Sequence, residues 1–435
     1  MSLISEFNTL LYDNNDTNNN NDNNNDNNND NDNDNDNDNE SNDNKNRTNI
    51  LKLNKTECKT SDNQMYKIIT YDKNILNIDL YTTYGLYRSV IINSDNKVIG
   101  FAPPKSIPSE EFMKKYPDKT DKIIAEEFIE GTMINVFWNN KIGLTGGWEI
   151  ATKKTVGALS GFYKTKNSKT FRSMFQEAAK ENNLILENLN RNYCFSFVLQ
   201  HSENRIVVPF KKPQLYLVGI FHINHQDINN ILVHKYNIGT FERELFKYTN
   251  VKFPQIYSWN TYNDLINSYA SMNTSYDLLG VVIYNSETGE RTKIRNPVYE
   301  EVKSLRGNQP KLQYQYISLR KEGKVKAFLD YYPENKKEFS QFRDQIHVFT
   351  NTLYMNYVSC YIKKERPLAD FSQQYKTHMY HIHQIFMNEL REKKLFVTNM
   401  VVIHYVNQLT PSLLMYCLNF HMRKRNVDFI KNDTL

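Results

Sequence analysis

The sequence has few cysteines, glycines and prolines and no long apolar run. Of its 435 residues, 4 are cysteine, 14 glycine and 12 proline. The cysteines lie far apart without a CxxC pair, which argues against a disulfide framework or zinc ribbon and fits a reducing compartment. The most apolar C-terminal stretch, 396–406, is too short to span a bilayer, and the N-terminus has no basic start typical of a secretory signal. We therefore expect a soluble intracellular protein without a membrane partner.

The near-neutral net charge conceals a basic body. Residues 13–46 are Asn and Asp except for Thr17, Glu40, Ser41 and Lys45, and they hold 11 of the 49 acidic residues and one of the 54 basic residues. The rest of the chain therefore carries 53 − 38 = +15, against +5 for the whole. Such an excess favours a polyanionic partner, RNA or another nucleic acid, because Lys and Arg displace counterions from phosphates. The alternative is a solvated lysine-rich surface.

The pattern predicts an α+β protein in three parts. Residues 1–60 have too little apolar surface to repay chain entropy, which predicts a disordered Asn/Asp-rich arm. Residues 61–325 are strand-rich and predict antiparallel sheets with a few inserted helices. Residues 326–435 carry apolar side chains three and four apart and predict an all-helical domain. The Asn/Asp tract is either an interaction arm or a repeat that drifted in an AT-rich genome.

Short alternating or β-branched runs mark the strands, and helical spacing marks the helices. The strands are expected at 87–93, 97–102, 131–138, 148–152, 194–200, 204–210, 214–223 and 278–284. The helices are expected at 168–183, 336–363, 367–392, 396–407 and 411–423.

Five segments occur in an order that resembles the covalent nucleotidyltransferases. They read YRSVIINSDNKVIGFAPPKSI at 87–107, EEFIEGTMINVFW at 126–138, WEIATKKTVGA at 148–158, FSFVLQHSENRIVVPF at 195–210 and LLGVVIYNSETGERTKIRNPVY at 278–299. Within that superfamily they are similar to the N-terminal domain of T4-type RNA ligases and their relatives in large DNA viruses. The likeness covers roughly 66–305, and the helical part corresponds in position to the domain that sets substrate specificity.

The resemblance implies a defined chemistry. In the family, a lysine in a K-x-D/E-G motif attacks the α-phosphate of ATP and forms a lysyl-nucleotide. Carboxylates of the third and fourth motifs hold metal and ribose, and a final K-x-K neutralises the triphosphate. The adenylate then passes to an RNA 5′-phosphate. The implied cofactors are ATP and Mg²⁺.

The phosphate-binding half of this site is present. Matching motif by motif, the resemblance implies that four basic side chains receive phosphates and that one acid contacts the ribose or orders a lysine. A further lysine belongs to the element that follows the nucleophile motif. These nucleotide-binding candidates are Arg88, Lys105, Glu130, Lys153, Lys293 and Arg295.

The covalent half departs from the pattern. The nucleophile position, three residues before Gly131, is Phe128. The third motif offers only Ser196 or Phe197 where the family has glutamate. The fourth has Leu279, with Asp277 as a compensating carboxylate only if the strand is regular there. The pattern thus predicts no catalytic residue and no resident metal site.

Three hypotheses follow, and whether the chain is an enzyme stays open among them. The first is a degenerate RNA-ligase-like pseudoenzyme that binds nucleotide, RNA ends or both without lysyl transfer, in the host cytoplasm or virion if the chain is viral. The second is an active ATP-dependent ligase that uses a displaced lysine, namely Lys105, Lys153 or Lys293. The third is a structural or nucleic-acid packaging protein.

Other motifs have competing interpretations. The cluster HMYHIH at 378–383 suggests a metal site, but ligand spacing is missing and a packed cluster is favoured. Tyr216 and Phe221 lie where the family places a ring against the purine, and burial in the sheet is the alternative. The basic segment 305–321 either grips RNA or connects the two domains.

Overall fold

The structure is a computed structural model that describes residues 2–8, 53–161, 168–225, 230–236, 239–309 and 311–422. The chain divides into two compact units, Met1–Lys303 and Ser304–Leu435, called here unit 1 and unit 2. Unit 1 holds all the described strands and unit 2 is helical. The α+β architecture expected from the sequence is confirmed, with the division after Lys303 rather than after residue 325.

Thirteen strands build three antiparallel sheets in the described part of unit 1. They are β1 Ser2–Asn8, β2 Asn54–Lys59, β3 Met65–Thr70, β4 Val90–Ile92, β5 Val98–Phe101, β6 Ile123–Glu127, β7 Thr132–Asn139, β8 Gly147–Ala151, β9 Tyr193–Gln200, β10 Gln214–His225, β11 Asn230–Tyr236, β12 Gly280–Asn285 and β13 Arg291–Arg295. The sheet orders are β1-β11-β10-β9-β7-β8, β2-β3-β4-β5 and β13-β12-β6.

The alternation of side chains along these strands produces three hydrophobic clusters. The four-stranded sheet packs on one face of the six-stranded sheet, for example through Val90 of β4 and Phe137 of β7. The other face of the six-stranded sheet is covered by the helix Phe171–Glu181, whose Phe175 packs against Phe197 of β9. The three-stranded sheet buries Val281 and its neighbours against two short helices. The cleft described below is lined from both the three-stranded and the six-stranded sheet.

Eleven α-helices occur among the described residues. They are α1 Ser109–Lys115, α2 Phe171–Glu181, α3 Thr240–Leu245, α4 Tyr262–Tyr269, α5 Pro297–Arg306, α6 Leu312–Lys321, α7 Val325–Tyr331, α8 Lys336–Tyr357, α9 Gln373–Ile385, α10 Asn399–Gln408 and α11 Pro411–Leu418. Helices α8 and α9 continue as π-helical turns at Val358–Ile362 and Phe386–Leu390. The five helices predicted from spacing are all present. The described ranges contain no helix of the length and apolarity that a bilayer crossing needs.

The strand expected at 204–210 is not present. This segment is a short 3-10 turn followed by a bend, although Ile206 and Val207 are buried. The amide groups of Val207 and Val208 donate hydrogen bonds to the Glu130 carboxylate at 3.0–3.1 Å instead of to a neighbouring strand. A β-branched apolar run thus fits a buried loop when a side chain satisfies its backbone donors.

Both ends of the predicted arm contain a strand. Ser2–Asn8 pairs with β11, and Asn54–Lys59 pairs with β3. The prediction of disorder otherwise concerns residues 9–52, which lie outside the described residues.

Candidate functional site

A cleft in unit 1 brings together charged side chains from β6, β11 and β13, among them Lys293 of the predicted set. The space between its lining atoms is about 820 Å³, a figure that includes open solvent at its mouth. Its lining includes Pro103, Pro104, Ser106, Glu126, Glu127, Phe128, Met133, Val198, Phe221, Lys235, Val282, Tyr284, Arg291 and Lys293.

The register of the three-stranded sheet explains why these residues share one face. Val282 of β12 pairs with Lys293 on one side and with Glu126 on the other. Side chains alternate along β13, so Arg291 and Lys293 point to the cleft and Thr292 points inward, where its hydroxyl donates to Ile107 O at 2.8 Å. With strands about 4.8 Å apart, the backbones of Lys293 and Glu126 are roughly 10 Å apart.

Phe128 occupies the position expected for the nucleophile and lines the cleft. The Lys293 ammonium lies 5.6 Å from the centre of the Phe128 ring, within the distance of a cation–π contact. A phenyl ring offers no lone pair to a phosphorus atom, so position 128 can hold a neighbouring cation but cannot attack a nucleotide.

Lys235 of β11 is a second cleft lysine, and it was not among the sequence candidates. Its ammonium lies 4.4 Å from the centre of the Tyr284 ring. Burial lowers the pKa of Lys235, with Glu126 opposing the shift and Arg291 adding to it. Burial likewise raises the pKa of Glu126, with Lys235 opposing. The cleft therefore disfavours charge on both groups.

Arg291 is also absent from the sequence candidates. Its Nε donates to Pro104 O at 3.1 Å, which ties β13 to the 103–106 wall of the cleft. The period of two along a strand could have revealed it, because Arg291 lies two residues before Lys293. Lys235 had no such signal, since it comes from a strand more than a hundred residues from Phe128.

The other four basic candidates do not line the cleft. Arg88 is buried and donates to Pro103 O at 3.3 Å. Lys105 is buried and lies in sequence between two residues that line the cleft, and its ammonium is 6.0 Å from the Tyr81 ring centre. Lys153 lies 6.0 Å from the Tyr71 ring centre. Arg295 forms a salt bridge of 3.1 Å with Glu300. Lys293 alone of the predicted set lines the cleft.

Glu130 has a different environment from the one its motif suggests. It is 5% exposed, and its carboxylate accepts hydrogen bonds from Val207 and Val208. Burial raises the pKa of Glu130, and the backbone hydrogen bonds oppose this shift. The structure therefore places this carboxylate as an internal anchor of the 206–208 loop.

The positions that lack the expected glutamates offer no replacement in the cleft. Ser196 is buried and its hydroxyl donates to Asn135 at 2.7 Å, while Phe197 lies in the core. Strand β12 begins at Gly280, so Asp277 lies in the preceding turn and is exposed. The regular strand that would have aligned Asp277 with the site is not formed.

Among the residues that the structure describes, the cleft offers a divalent metal two carboxylates, Glu126 and Glu127. No group of three potential ligands occurs within the described ranges. Mg²⁺ is commonly held by one or two carboxylates plus substrate phosphates, so this donor set fits a metal that enters with a nucleotide. In the histidine cluster, His378 contacts Tyr405 at 2.8 Å and Cys417 at 3.0 Å, which is a packed arrangement.

Comparison with known proteins finds relatives by sequence. An RNA ligase of Rhodothermus phage RM378 is 23% identical over 226 residues, 45% of this chain and 48% of the ligase. An immediate-early protein ICP-46 homolog of Invertebrate iridescent virus 6 is 23% identical over 351 residues, 70% of this chain and 73% of that protein. The chain is therefore similar in sequence to an RNA ligase and to a viral immediate-early protein. It spans about half the length of the phage ligase, and no family model matches it.

Solved structures also match this chain. An archaeal ATP-dependent RNA ligase gives a TM-score of 0.36 at 10% identity, over 68% of this chain and 76% of that chain. A Naegleria gruberi RNA ligase mutant with ATP and Mn gives 0.33 at 16% identity, over 46% and 58%.

Proposed function

We propose that the cleft of unit 1 binds a nucleotide, with ATP as the first candidate, without forming a lysyl-nucleotide at position 128. The protein is then a degenerate RNA-ligase-like protein that holds nucleotide, RNA ends or both. The observation that carries the proposal is the contact of Lys293 with Phe128, 5.6 Å from ammonium to ring centre. A phosphate-binding cation is present where the nucleophilic amine is not.

The charges of the cleft support a triphosphate ligand. Arg291 and Lys293 line the cleft as cations, and a guanidinium can offer planar, bidentate hydrogen bonds to phosphate oxygens. A bound phosphate would also favour the charged form of Lys235. Glu126 and Glu127 would bind Mg²⁺ that arrives with the phosphates. Phe221 lines the cleft but is fully buried, so it offers little surface on which a purine could stack.

A second candidate function is adenylyl transfer to a displaced lysine, and Lys235 favours it. An amine attacks phosphorus only when it is deprotonated, and burial lowers the pKa of Lys235. In that step the Lys235 nitrogen would form a bond to the α-phosphorus, the bond to pyrophosphate would break, and the amine proton would leave to solvent or Glu126. Lys105 and Lys153 have no such location in the cleft.

Two measurements separate these functions. The whole chain is incubated with α-labelled ATP and Mg²⁺ and run on a denaturing gel, and ATP binding is measured at equilibrium. We expect no label on the chain, measurable binding, and a loss of affinity of about tenfold or more in Lys293→Ala, as for hydrogen bonds to charged groups. Lys336→Ala, an exposed lysine of unit 2, is the matched control.

The other outcomes decide between the alternatives. An acid-labile label that disappears in Lys235→Met would establish the displaced-lysine reaction and overturn the proposal. Absence of both label and binding would leave the structural or packaging role. GTP in a parallel series tests the choice of base.

A further inference from the structure

Helices α8 and α9 of unit 2 lie side by side and run in the same direction. Phe349 of α8 stacks with Tyr375 of α9 at 5.4 Å between ring centres, and Tyr361 stacks on His383 at 4.0 Å. Contact partners thus advance together along both helices. The segments that follow them, 363–366 and 391–396, therefore leave from the same end of the pair.

Aromatic rings form a column at this end. Tyr361 and His383 are nearly parallel, with 15° between their planes, and His383 is followed by Phe386 at 5.9 Å. Two further rings are exposed to solvent: Tyr380 on α9 is 50% exposed, and Phe396 beyond the column is 77% exposed.

Basic side chains follow both helices at this end of the pair. The two segments and the turn before the second carry Lys363, Lys364, Arg366, Arg391, Lys393 and Lys394 against Glu365, Glu389 and Glu392. Lys363 pairs with Glu365 at 3.5 Å, and Arg366 lies over Phe371. Lys364, Lys393 and Lys394 are exposed and form no salt bridge or side-chain hydrogen bond with another described residue. Lysines at helix C-termini also complement the helix dipole, which is the purely structural explanation.

We propose that this aromatic–basic face, formed by Tyr361, Tyr380, Lys364, Lys393, Lys394 and Phe396, binds single-stranded nucleic acid. Unpaired bases stack on exposed rings, and the phosphates between them bind the uncommitted lysines. Exposed apolar rings alone would fit a protein partner equally well, but three unpaired cations among them favour a polyanion. The face lies within unit 2 and goes beyond the nucleotide cleft of unit 1.

The backbone offers a variant that removes charge without damaging the fold. Lys364 and Lys394 have φ of 56° and 54°, the left-handed region that glycine adopts most easily at a helix end. Lys364→Gly with Lys394→Gly should therefore keep or raise the melting temperature. Lys336→Ala with Lys337→Ala removes the same charge at the other end of α8, about 30 Å away along a helix of this length.

The test measures binding of a fluorescein-labelled 20-nucleotide RNA of mixed sequence to the whole chain by anisotropy, without ATP. The double glycine variant should lose at least fivefold in affinity, and its salt slope should fall by about 1.4, at about 0.7 per phosphate contact on a single strand. Phe396→Ala should lose about tenfold. The Lys336/Lys337 control should stay within twofold, and a duplex of the same length should bind more weakly.

Three results would overturn the proposal. The first is a double glycine variant that binds RNA like the control while remaining folded. The second is displacement of the RNA by saturating ATP, which would place the strand in the cleft. The third is a change in oligomeric state in Phe396→Ala by sedimentation, with RNA affinity unchanged, which would make the face a protein contact. ATP binding, measured in the same variants, reports separately on the cleft.

Discussion

Position 128 limits the chemistry of the cleft through a single side chain. Replacing an amine by a phenyl ring removes the nucleophile, and no neighbouring charge can restore it. The same ring gives Lys293 a surface to lie over, so the cation remains in place at 5.6 Å. The proposed nucleotide binding therefore does not require an amine at position 128.

Lys235 should lower the free energy of unfolding because its ammonium is buried in the cleft wall. Its folded pKa is lowered by burial, whereas the unfolded chain has the usual value near 10.5. At any pH between these two values the unfolded chain binds more protons, so stability rises with pH across that window and the full penalty is present below it. Lys235→Met should therefore raise the free energy of unfolding at pH 7 by about 1 kcal/mol, and the gain should shrink towards pH 10.

Urea unfolding at pH 6, 8 and 10 measures this effect, with Lys336→Met as the exposed control that should show no pH-dependent gain. ATP affinity should fall in Lys235→Met even as stability rises. Glu126 raises the pKa of Lys235 and Arg291 lowers it, so these two groups help to set the pH range over which stability changes. A variant less stable than the natural chain at pH 7 would show that the ammonium is favourably solvated.

Among the elements, the loop 206–208 depends on one carboxylate. Glu130→Ala leaves the buried amide of Val207 and the partly buried amide of Val208 without an acceptor, and an unsatisfied buried donor costs about 1–3 kcal/mol. We expect the free energy of unfolding to fall by about 2–4 kcal/mol, measured by urea denaturation. Glu130→Gln keeps one acceptor oxygen, so its free energy of unfolding should lie between those of the natural chain and Glu130→Ala. Glu187→Ala, at an exposed position, should change the free energy of unfolding little.

The same variants distinguish a structural role of Glu130 from a role in nucleotide binding. If Glu130 anchors the loop, Glu130→Gln should lower the free energy of unfolding while the folded protein keeps its ATP affinity within threefold, about 0.7 kcal/mol. If Glu130 instead contacts a ribose, that variant would lose ATP affinity at unchanged stability, and the sequence-based role would stand.

The spacing of apolar residues along the sequence predicted helices and strands better than it predicted the candidate site. The helices of unit 2 and strands such as β7 and β9 follow from apolar spacing, because each buries one face. The run at 204–210 failed because its backbone donors are satisfied by a side chain some seventy residues earlier. Lys235 and Glu126 become cleft partners only through the pairing of distant strands, which a linear pattern does not record.

At the scale of the whole molecule, the tract 13–46 should weaken attraction to nucleic acid. Its removal deletes 11 acidic residues and one basic residue, which changes the net charge from +5 to +15. A more positive chain attracts a polyanion over distances set by the Debye length, about 10 Å at 0.1 M salt and 3 Å at 1 M. Deletion should therefore speed association with single-stranded RNA severalfold in stopped-flow measurements at 50 mM salt, with little difference at 1 M.

Charge and length can be separated within the tract itself. Replacing its ten Asp by Asn and Glu40 by Gln keeps the length and gives a net charge of +5 + 11 = +16, so it should match the deletion. A scrambled tract of the same composition should behave like the natural chain. Equal association rates for all four proteins at 50 mM salt would mean that the acidic tract does not screen the basic body. The +15 of that body would then act on its partner undiminished, and the near-neutral total would have no bearing on binding.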